Sequence, residues 1–557
     1  MKNPKDKLEA ILTNEQNRIR ESYPNDDVVF PLIEIIRSLD FETYAQRITK
    51  DGQAAELMLE KYRFGWSLAF YLFYLELTPD DNIPLFEFGP EERGWIDSII
   101  QHCGSVQLSR QYLDYEKAGL VVLKQESDKE FVFRHAVEGM GDEMYDRISL
   151  AHYHTLVQKT LQHKVTPALE QLPAMRKKLE DIVEVFQERF IQYRATEEIE
   201  VFYRRLGYLI LMTTQIVDDF DEKDMFGGYP YNDYMDFVEN LFMSGLMHRD
   251  CCFALAEKTK CKINLRTILT YGFSKQRFFA VIEESFGWQK EKVEQIASCL
   301  AITKENFEHH LTYPGLAPVP YYELGNDVWM RSTEGCITMP VFFLNRELKR
   351  RFPKDYFEAV NRREERFRNQ LYDMFKYDWI KCVHQNVDIR TTDIDAVVFD
   401  TRRKILGLFQ LKWQDSFSTS MQERRSRISN MIPKSVEWID KVESWISTKD
   451  AKGVLKKCGI DGDKIDDVYL FVLSRNHVHF TNQKLDERAT WGSWFQLLEA
   501  STKVKDPTNV NPIAEMAAKL KFFSPSMRKE VEGKPILGDV ELKFGGYNVK
   551  IEVKPQG

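Results

Sequence analysis

Asp395, Gln410 and Lys412 are the residues whose types and spacing are suited to chemistry, and the chemistry they suit is hydrolysis of a phosphodiester. That reaction needs a divalent cation to neutralise the phosphate and activate a water, and Mg²⁺ or Mn²⁺ prefers hard oxygen ligands. Asp395 offers a carboxylate, Gln410 a side-chain carbonyl and Leu411 a backbone carbonyl. Lys412 is placed to orient an attacking water or to offset charge developing in the transition state.

Two apolar runs, Thr392–Phe399 and Ile405–Trp413, are joined by the polar Asp400-Thr-Arg-Arg-Lys404 and predict a β-hairpin. With Thr401–Lys404 as the loop, Asp400 pairs with Ile405, Asp395 faces Gln410 and Asp393 faces Lys412. Because side chains alternate along strands, these four then share one face. A slip of one residue would send Gln410 and Lys412 to the opposite face. Arg402, Arg403 and Lys404 form the turn, while Arg424, Arg425 and Arg427 open the helical stretch that follows. Both clusters are candidates to hold DNA phosphates next to the metal site, against the alternative of solvated charged faces.

At these residues the chain resembles the PD-(D/E)xK, or restriction-endonuclease-like, nuclease superfamily, and most of all its Mrr-like branch with a Gln-x-Lys half-motif. The resemblance covers about 345–490. It implies that Asp395, Gln410 and Lys412 are catalytic, that Asp395, Gln410 and Leu411 take the metal, and that an acid comes from the preceding helix. On the helix expected at about 355–376, Phe357, Val360, Phe367, Leu371 and Met374 mark an apolar stripe. Glu364 falls on that stripe and Glu365 beside it, and an inward acid is unusual unless something uses it. Glu364 is therefore the fourth candidate, both catalytic and metal-binding. The chain departs from the commoner pattern by carrying Gln410 in place of an acid, which removes one ligand charge and weakens the expected metal affinity.

Composition sets the frame for this site. The 557 residues are 43% hydrophobic and 13% aromatic, enough for several cores, and the net charge of −9 argues against indiscriminate polyanion binding. Residues 341–440 run the other way, with 20 Lys and Arg against 15 Asp and Glu. The eight cysteines form no CxxC pair and predict reduced, mostly buried thiols. His248, Cys251, Cys252 and Cys261 lack the short fixed spacings of a zinc site. The N-terminus has no apolar signal core, and the longest apolar stretches are too short to span a bilayer. A cytoplasmic protein with no membrane partner is expected.

The predicted architecture is multidomain α + α/β, with a large, mainly helical N-terminal region followed by a restriction-endonuclease-like α/β/α sandwich. Residues 1–140 read as a helical domain with a small hairpin near 119–135, and 141–312 as a second helical domain with helices at Ala174–Tyr193 and Glu197–Phe220. The segment 313–345 begins with the Pro-rich Tyr313–Pro320 and reads as a linker and short hairpin, its strands Val328–Arg331 and Cys336–Met339. The nuclease domain follows at 346–500, with a strand near 379–388, a helix near 418–447 interrupted by Pro433, and a buried strand at Val468–Leu473. Residues 501–557 read as a C-terminal helix and β-hairpin extension. Asp539, Glu552 and Lys554 repeat the Asp…Glu-x-Lys pattern there, but the chain ends too soon to complete a family core, and an edge hairpin is the reading.

The implied function is Mg²⁺-dependent endonucleolytic cleavage of DNA, regulated through the helical region by a protein partner or homo-oligomerisation, in a setting such as bacterial antiviral or restriction-type defence. The alternative is a catalytically weak or inactive nuclease-fold protein that binds nucleic acid or acts as a scaffold.

Overall fold

The computed structural model describes residues 3–21, 28–48, 52–78, 89–136, 143–214, 220–260, 262–415, 420–504, 511–531 and 539–552. The chain divides into two units, each assembled from separated stretches. Met1–His135, Val157–Tyr356 and Leu537–Gly557 form the first, and Ala136–Leu156 with Phe357–Ile536 the second.

The first unit is mainly helical. Helices Gly52–Tyr74 and Pro90–Lys117 cross so closely that a Cβ on Gly65 would lie 1.9 Å from Ile100 O, and one on Gly104 2.1 Å from Lys61 O. Both positions therefore require glycine. The hairpin expected near 119–135 forms, with strands Val121–Ser127 and Glu130–His135. The C-terminal hairpin also forms, from Val540–Phe544 and Tyr547–Glu552. It is not an extension of the second unit. Tyr547–Glu552 runs parallel to Glu130–His135, and Leu542, Val549 and Ile551 join the first unit's core.

The expected linker at 313–345 is likewise part of the first unit's core. Leu316, Val319, Tyr322, Leu324 and Phe343 belong to the same buried cluster as Leu12, Leu32 and Phe70, so 313–345 is packed interior and no linker. Val328–Arg331 pairs with Tyr321–Glu323 and Tyr271–Ser274, while Cys336 lies in the helix Thr333–Ile337 that Ser332 caps. The helix expected to reach Tyr193 ends at Ile182, where Val183–Phe186 and Phe190–Tyr193 form a hairpin. Glu197–Thr214 is helical as read.

In the second unit, helix α1 (Pro353–Tyr372, which enters this unit at Phe357) leads into strands β1 (Ile380–Val383), β2 (Ala396–Asp400) and β3 (Ile405–Lys412). Helices α2 (Met421–Ser447) and α3 (Ala451–Lys457), strands β4 (Asp467–Ser474) and β5 (Ala489–Ser493), and helices α4 (Trp494–Val504) and α5 (Pro512–Val531) follow. The sheet order is β1-β2-β3-β4-β5, antiparallel from β1 to β3 and parallel from β3 to β5.

Helices cover both faces of this sheet. Ala396, Val398, Phe409, Leu411 and Phe471 pack with Phe367 and Leu371 of α1, Leu497 of α4 and Met516 of α5. Val397, Phe399, Leu406, Leu408 and Val472 pack with Trp438 and Ile439 of α2 and Leu455 of α3. Burial on both sides is why these strands are almost continuously apolar. Helix α2 runs unbroken through Pro433, contrary to the expected interruption, with buried Met431, Ile432, Ser435 and Trp438 anchoring it on either side.

Among the described residues, no helix is long and apolar enough to cross a membrane. The cysteines described are all free thiols, and all but Cys382 are buried. Cys261 lies outside the described residues.

Candidate functional site

The β2–β3 hairpin has the register its sequence predicts, from Asp400 opposite Ile405 to Ala396 opposite Phe409. Asp400 Oδ1 closes the turn by accepting the N–H groups of Arg402 and Arg403 at 2.8 and 3.0 Å, and Lys404 takes the left-handed conformation at φ 55°. This is the Asx geometry that a short polar side chain offers a turn.

Beyond Ala396 the ladder breaks. Asp395 N–H donates to Phe409 O at 3.0 Å, and Asp393–Ile394 leaves β3 to pair with Val387–Asp388. Asp393 therefore sits exposed opposite Asp388 and does not face Lys412, correcting the four-residue face expected from an unbroken strand. Trp438 Nε1 holds the diverging strand by donating to Asp393 O at 2.8 Å.

The break leaves the Asp395 side chain beside the end of β3. Its Oδ2 accepts Gln410 Nε2 at 2.5 Å and Leu411 N–H at 2.7 Å. In an extended strand a residue's N–H and C=O point to the same side, so the Leu411 carbonyl also faces the gap that β2 leaves. Asp395 and Gln410 are 6% and 7% exposed. Burial pushes the Asp395 carboxyl above the usual range, and the Asp393 charge adds to this, against the Lys412 ammonium and the two donors at Oδ2.

Glu364 reaches the site by a different route from the one its sequence suggested. The buried face of α1 carries Ala359, Arg363, Phe367, Arg368 and Leu371, while Phe357 is 60% exposed and Glu364 is itself a surface residue. The stripe is rotated because arginines occupy inward positions: Arg363 pairs with Asp415 at 2.8 Å, and Arg368 Nη1 donates to Asp395 O at 3.3 Å and to Asn386 Oδ1. Although the residue is exposed overall, its carboxyl is pushed up by desolvation and then by the Asp395 charge, with Lys412 and Arg368 opposing. That coupling brings Glu364 within electrostatic reach of Asp395. Among the described residues, neither its carboxylate nor the Lys412 ammonium takes a hydrogen bond or ion pair.

Glu364, Asp395, Gln410 and Lys412 are thus brought together at the C-terminal end of β3, where ligands commonly bind in sheets with parallel strands. The donors fit a hard divalent cation: two carboxylates, of which Asp395 raises the proton affinity of Glu364, an amide and a backbone carbonyl. Gln410 meets Asp395 with its nitrogen, so its oxygen would serve a cation only with the amide turned. No group of three or more His, Cys, Asp or Glu placed to hold a metal occurs among the described residues.

The basic clusters divide. Arg402–Lys404 lie at the other end of the hairpin, five residues of β2 or about 17 Å from Asp395, and so are not next to the site. Arg402 stacks on Trp379 there, 3.3 Å from its ring centroid. Helix α2 begins on the Lys412 side. Arg424 donates to Thr481 O at 3.2 Å, Arg427 lies 3.8 Å from Glu423, and Arg425 is exposed.

Sequence reasoning missed the surroundings of Trp413. Arg366 and Arg475 each lie 4.7 Å from its ring centroid and Arg363 lies 5.9 Å away. Arg475 N–H also donates to Lys412 O at 2.8 Å, fixing the end of β3. Asp146, fully buried, accepts the N–H groups of Val478 and His479 at 2.9 Å, with His479 Nδ1 at 3.1 Å. Of the C-terminal Asp…Glu-x-Lys residues, Glu552 is paired with Arg134 at 2.6 Å, and Lys554 lies outside the described residues.

No family model, no curated protein and no solved structure matches this chain.

Proposed function

We propose that the second unit is a metal-dependent nuclease domain of the PD-(D/E)xK type, close to the Mrr-like branch, and that the protein hydrolyses DNA phosphodiester bonds endonucleolytically. The observation that carries this reading is the meeting of Asp395 with Gln410 and Leu411 at the end of β3, with Glu364 and Lys412 electrostatically coupled to it. The order helix, three antiparallel strands, helix, parallel strand, with helices on both sheet faces, supports it as the α/β/α sandwich of that family.

Asp395, Glu364, the Leu411 carbonyl and a turned Gln410 amide would hold Mg²⁺ or Mn²⁺. The ion, when bound, would offset phosphate charge and make a water more acidic. Lys412 contributes a fixed positive charge beside the reacting phosphate and a donor for the attacking water. Arg425 is placed to contact backbone phosphates on the side where α2 begins. A cytoplasmic setting suits the free thiols, and the first unit is the candidate for regulation by a partner or by self-association. A role in antiviral defence rests on family analogy alone.

The amide nitrogen of Gln410 facing Asp395 favours a second reading, a nuclease-fold subunit that binds nucleic acid with little or no cleavage. Purified protein incubated with plasmid and linear DNA in Mg²⁺, Mn²⁺ or EDTA separates the two. Metal-dependent nicking, lost in folded Asp395→Ala and Lys412→Ala variants, supports the enzyme. Undiminished binding in EDTA with no cleavage in any metal supports the subunit.

A further inference from the structure

Arg368 is 7% exposed, and no described carboxylate lies within ion-pair distance of it. Among the described residues its only hydrogen-bond partners are neutral oxygens, Asp395 O at 3.3 Å and Asn386 Oδ1, and both are reached through the same nitrogen, Nη1. Nε is buried without a partner. The other edge of the guanidinium, Nε and Nη2, is therefore unused among the described residues. Its neighbour Arg363, also buried, has its acid in Asp415. Leaving a buried cation without a counter-ion is costly, and here it occurs one helical turn after Glu364, directly behind the backbone of Asp395.

We propose that Arg368 is a phosphate-binding residue, its Nη2, which is neither bonded among the described residues nor a buried orphan like Nε, donating to an oxygen of the nucleic-acid backbone at the Asp395 site. The inference rests on the nuclease reading above and adds to it the group that neutralises substrate. The bond from Nη1 to Asp395 O fixes the guanidinium beside the strand break. A bound phosphodiester would supply the missing counter-charge.

The test is the salt dependence of binding of a fluorescent DNA duplex to the full chain, measured by anisotropy in EDTA. Each phosphate contact contributes about 0.9 to the slope of log K against log salt concentration. Arg368→Gln is expected to lower the slope by about that amount, and Arg368→Lys to keep it. Because Arg368→Gln also removes a bond to the backbone, a second pair of variants leaves the arginine in place. Asn386→Asp, at an exposed residue, puts a carboxylate on Nη1, whereas Gln385→Glu adds the same charge next door. Asn386→Asp is expected to weaken duplex binding at least tenfold more than Gln385→Glu. An unchanged slope in folded Arg368→Gln, or equal binding by the two acidic variants, overturns the assignment while leaving the nuclease reading intact. Absence of wild-type binding at low salt in EDTA likewise overturns the assignment, whereas the nuclease reading falls separately, on absence of cleavage in any metal.

Discussion

Gln410 Nε2 donates to Asp395 Oδ2 at 2.5 Å across the point where β2 parts from β3. The carboxylate is thereby satisfied by a neutral donor, and the Gln410 oxygen is turned from it. Anything that requires both oxygens to face one point must first break that bond. The residue at 410 thus sets the balance between a site closed on itself and one open to a cation.

Replacing Gln410 by Glu removes the donor and adds a second charge against Asp395. Without divalent ion the variant should unfold at a lower temperature than the wild type. With it, affinity for Mn²⁺ should rise by about tenfold, roughly 1.4 kcal/mol. Mn²⁺ titration followed by thermal shift reads both effects. Equal Mn²⁺ midpoints for the two proteins would show that position 410 is not a ligand.

Asp395→Asn should abolish cleavage yet stabilise the metal-free protein. Burial raises the Asp395 carboxyl in the fold above its unfolded value, so the native state holds the proton more tightly. Its contribution to stability is therefore full at low pH and is lost as pH rises through the raised value. Asn keeps an acceptor for Gln410 and Leu411 without the charge. In EDTA at pH 7.5 its Tm should exceed wild type by about 2–4 °C per kcal/mol gained, and the gap should close near pH 4. A lower Tm at pH 7.5 contradicts this account.

Lys412→Ala should reduce the cleavage rate by about 10²–10³, the usual cost of losing one preorganised charge, with a much smaller loss of duplex binding. The Lys412 ammonium also opposes the upward shifts of Asp395 and Glu364. Its removal should move the acidic limb of the pH–rate profile to higher pH. A profile that keeps its position would separate Lys412 from those carboxyls.

Asp146 predicts the opposite pH behaviour. Burial works against its charge, but His479, His477 and the His479 N–H hold the carboxyl below its usual range. The stability it contributes is present above the ordinary aspartate range and is lost as pH falls through the lowered value. Asp146→Asn should cost about 1.5–3 kcal/mol in urea unfolding at pH 7, and the difference from wild type should shrink as pH falls below the ordinary aspartate range. No change at pH 7 would make the interaction incidental.

The hairpin that carries the site was legible because Asp400 and the polar turn fix the loop, and alternation then fixes every partner from Ile405 to Phe409. The break at Asp395 was not, since Ile394-Asp395-Ala396 carries no glycine or proline to mark it, and it displaced Asp393. The phase of α1 was misjudged because the stripe was drawn through apolar residues alone, whereas Arg363 and Arg368 also face inward, their guanidiniums held by Asp415, Asn386 and the Asp395 carbonyl. Asp146 lies 333 residues from His479, and no local pattern relates them. The linker at 313–345 and the C-terminal extension were misplaced for a similar reason: hydrophobic spacing reveals that a strand exists, while its partner is chosen by the whole fold.

The pairing of Tyr547–Glu552 with Glu130–His135 joins positions 418 residues apart, as in the Arg134–Glu552 bond. Chains emerge from the ribosome N-terminus first, and domains commonly fold in that order. Here the order is inverted. Every residue between Phe357 and Ile536 has been synthesised before the first unit receives its last two strands, and until then Glu130–His135 has an unpaired edge. The residues of the Asp395–Lys412 hairpin thus leave the ribosome while the unit that began translation is still incomplete. Premature termination would strand it in that state.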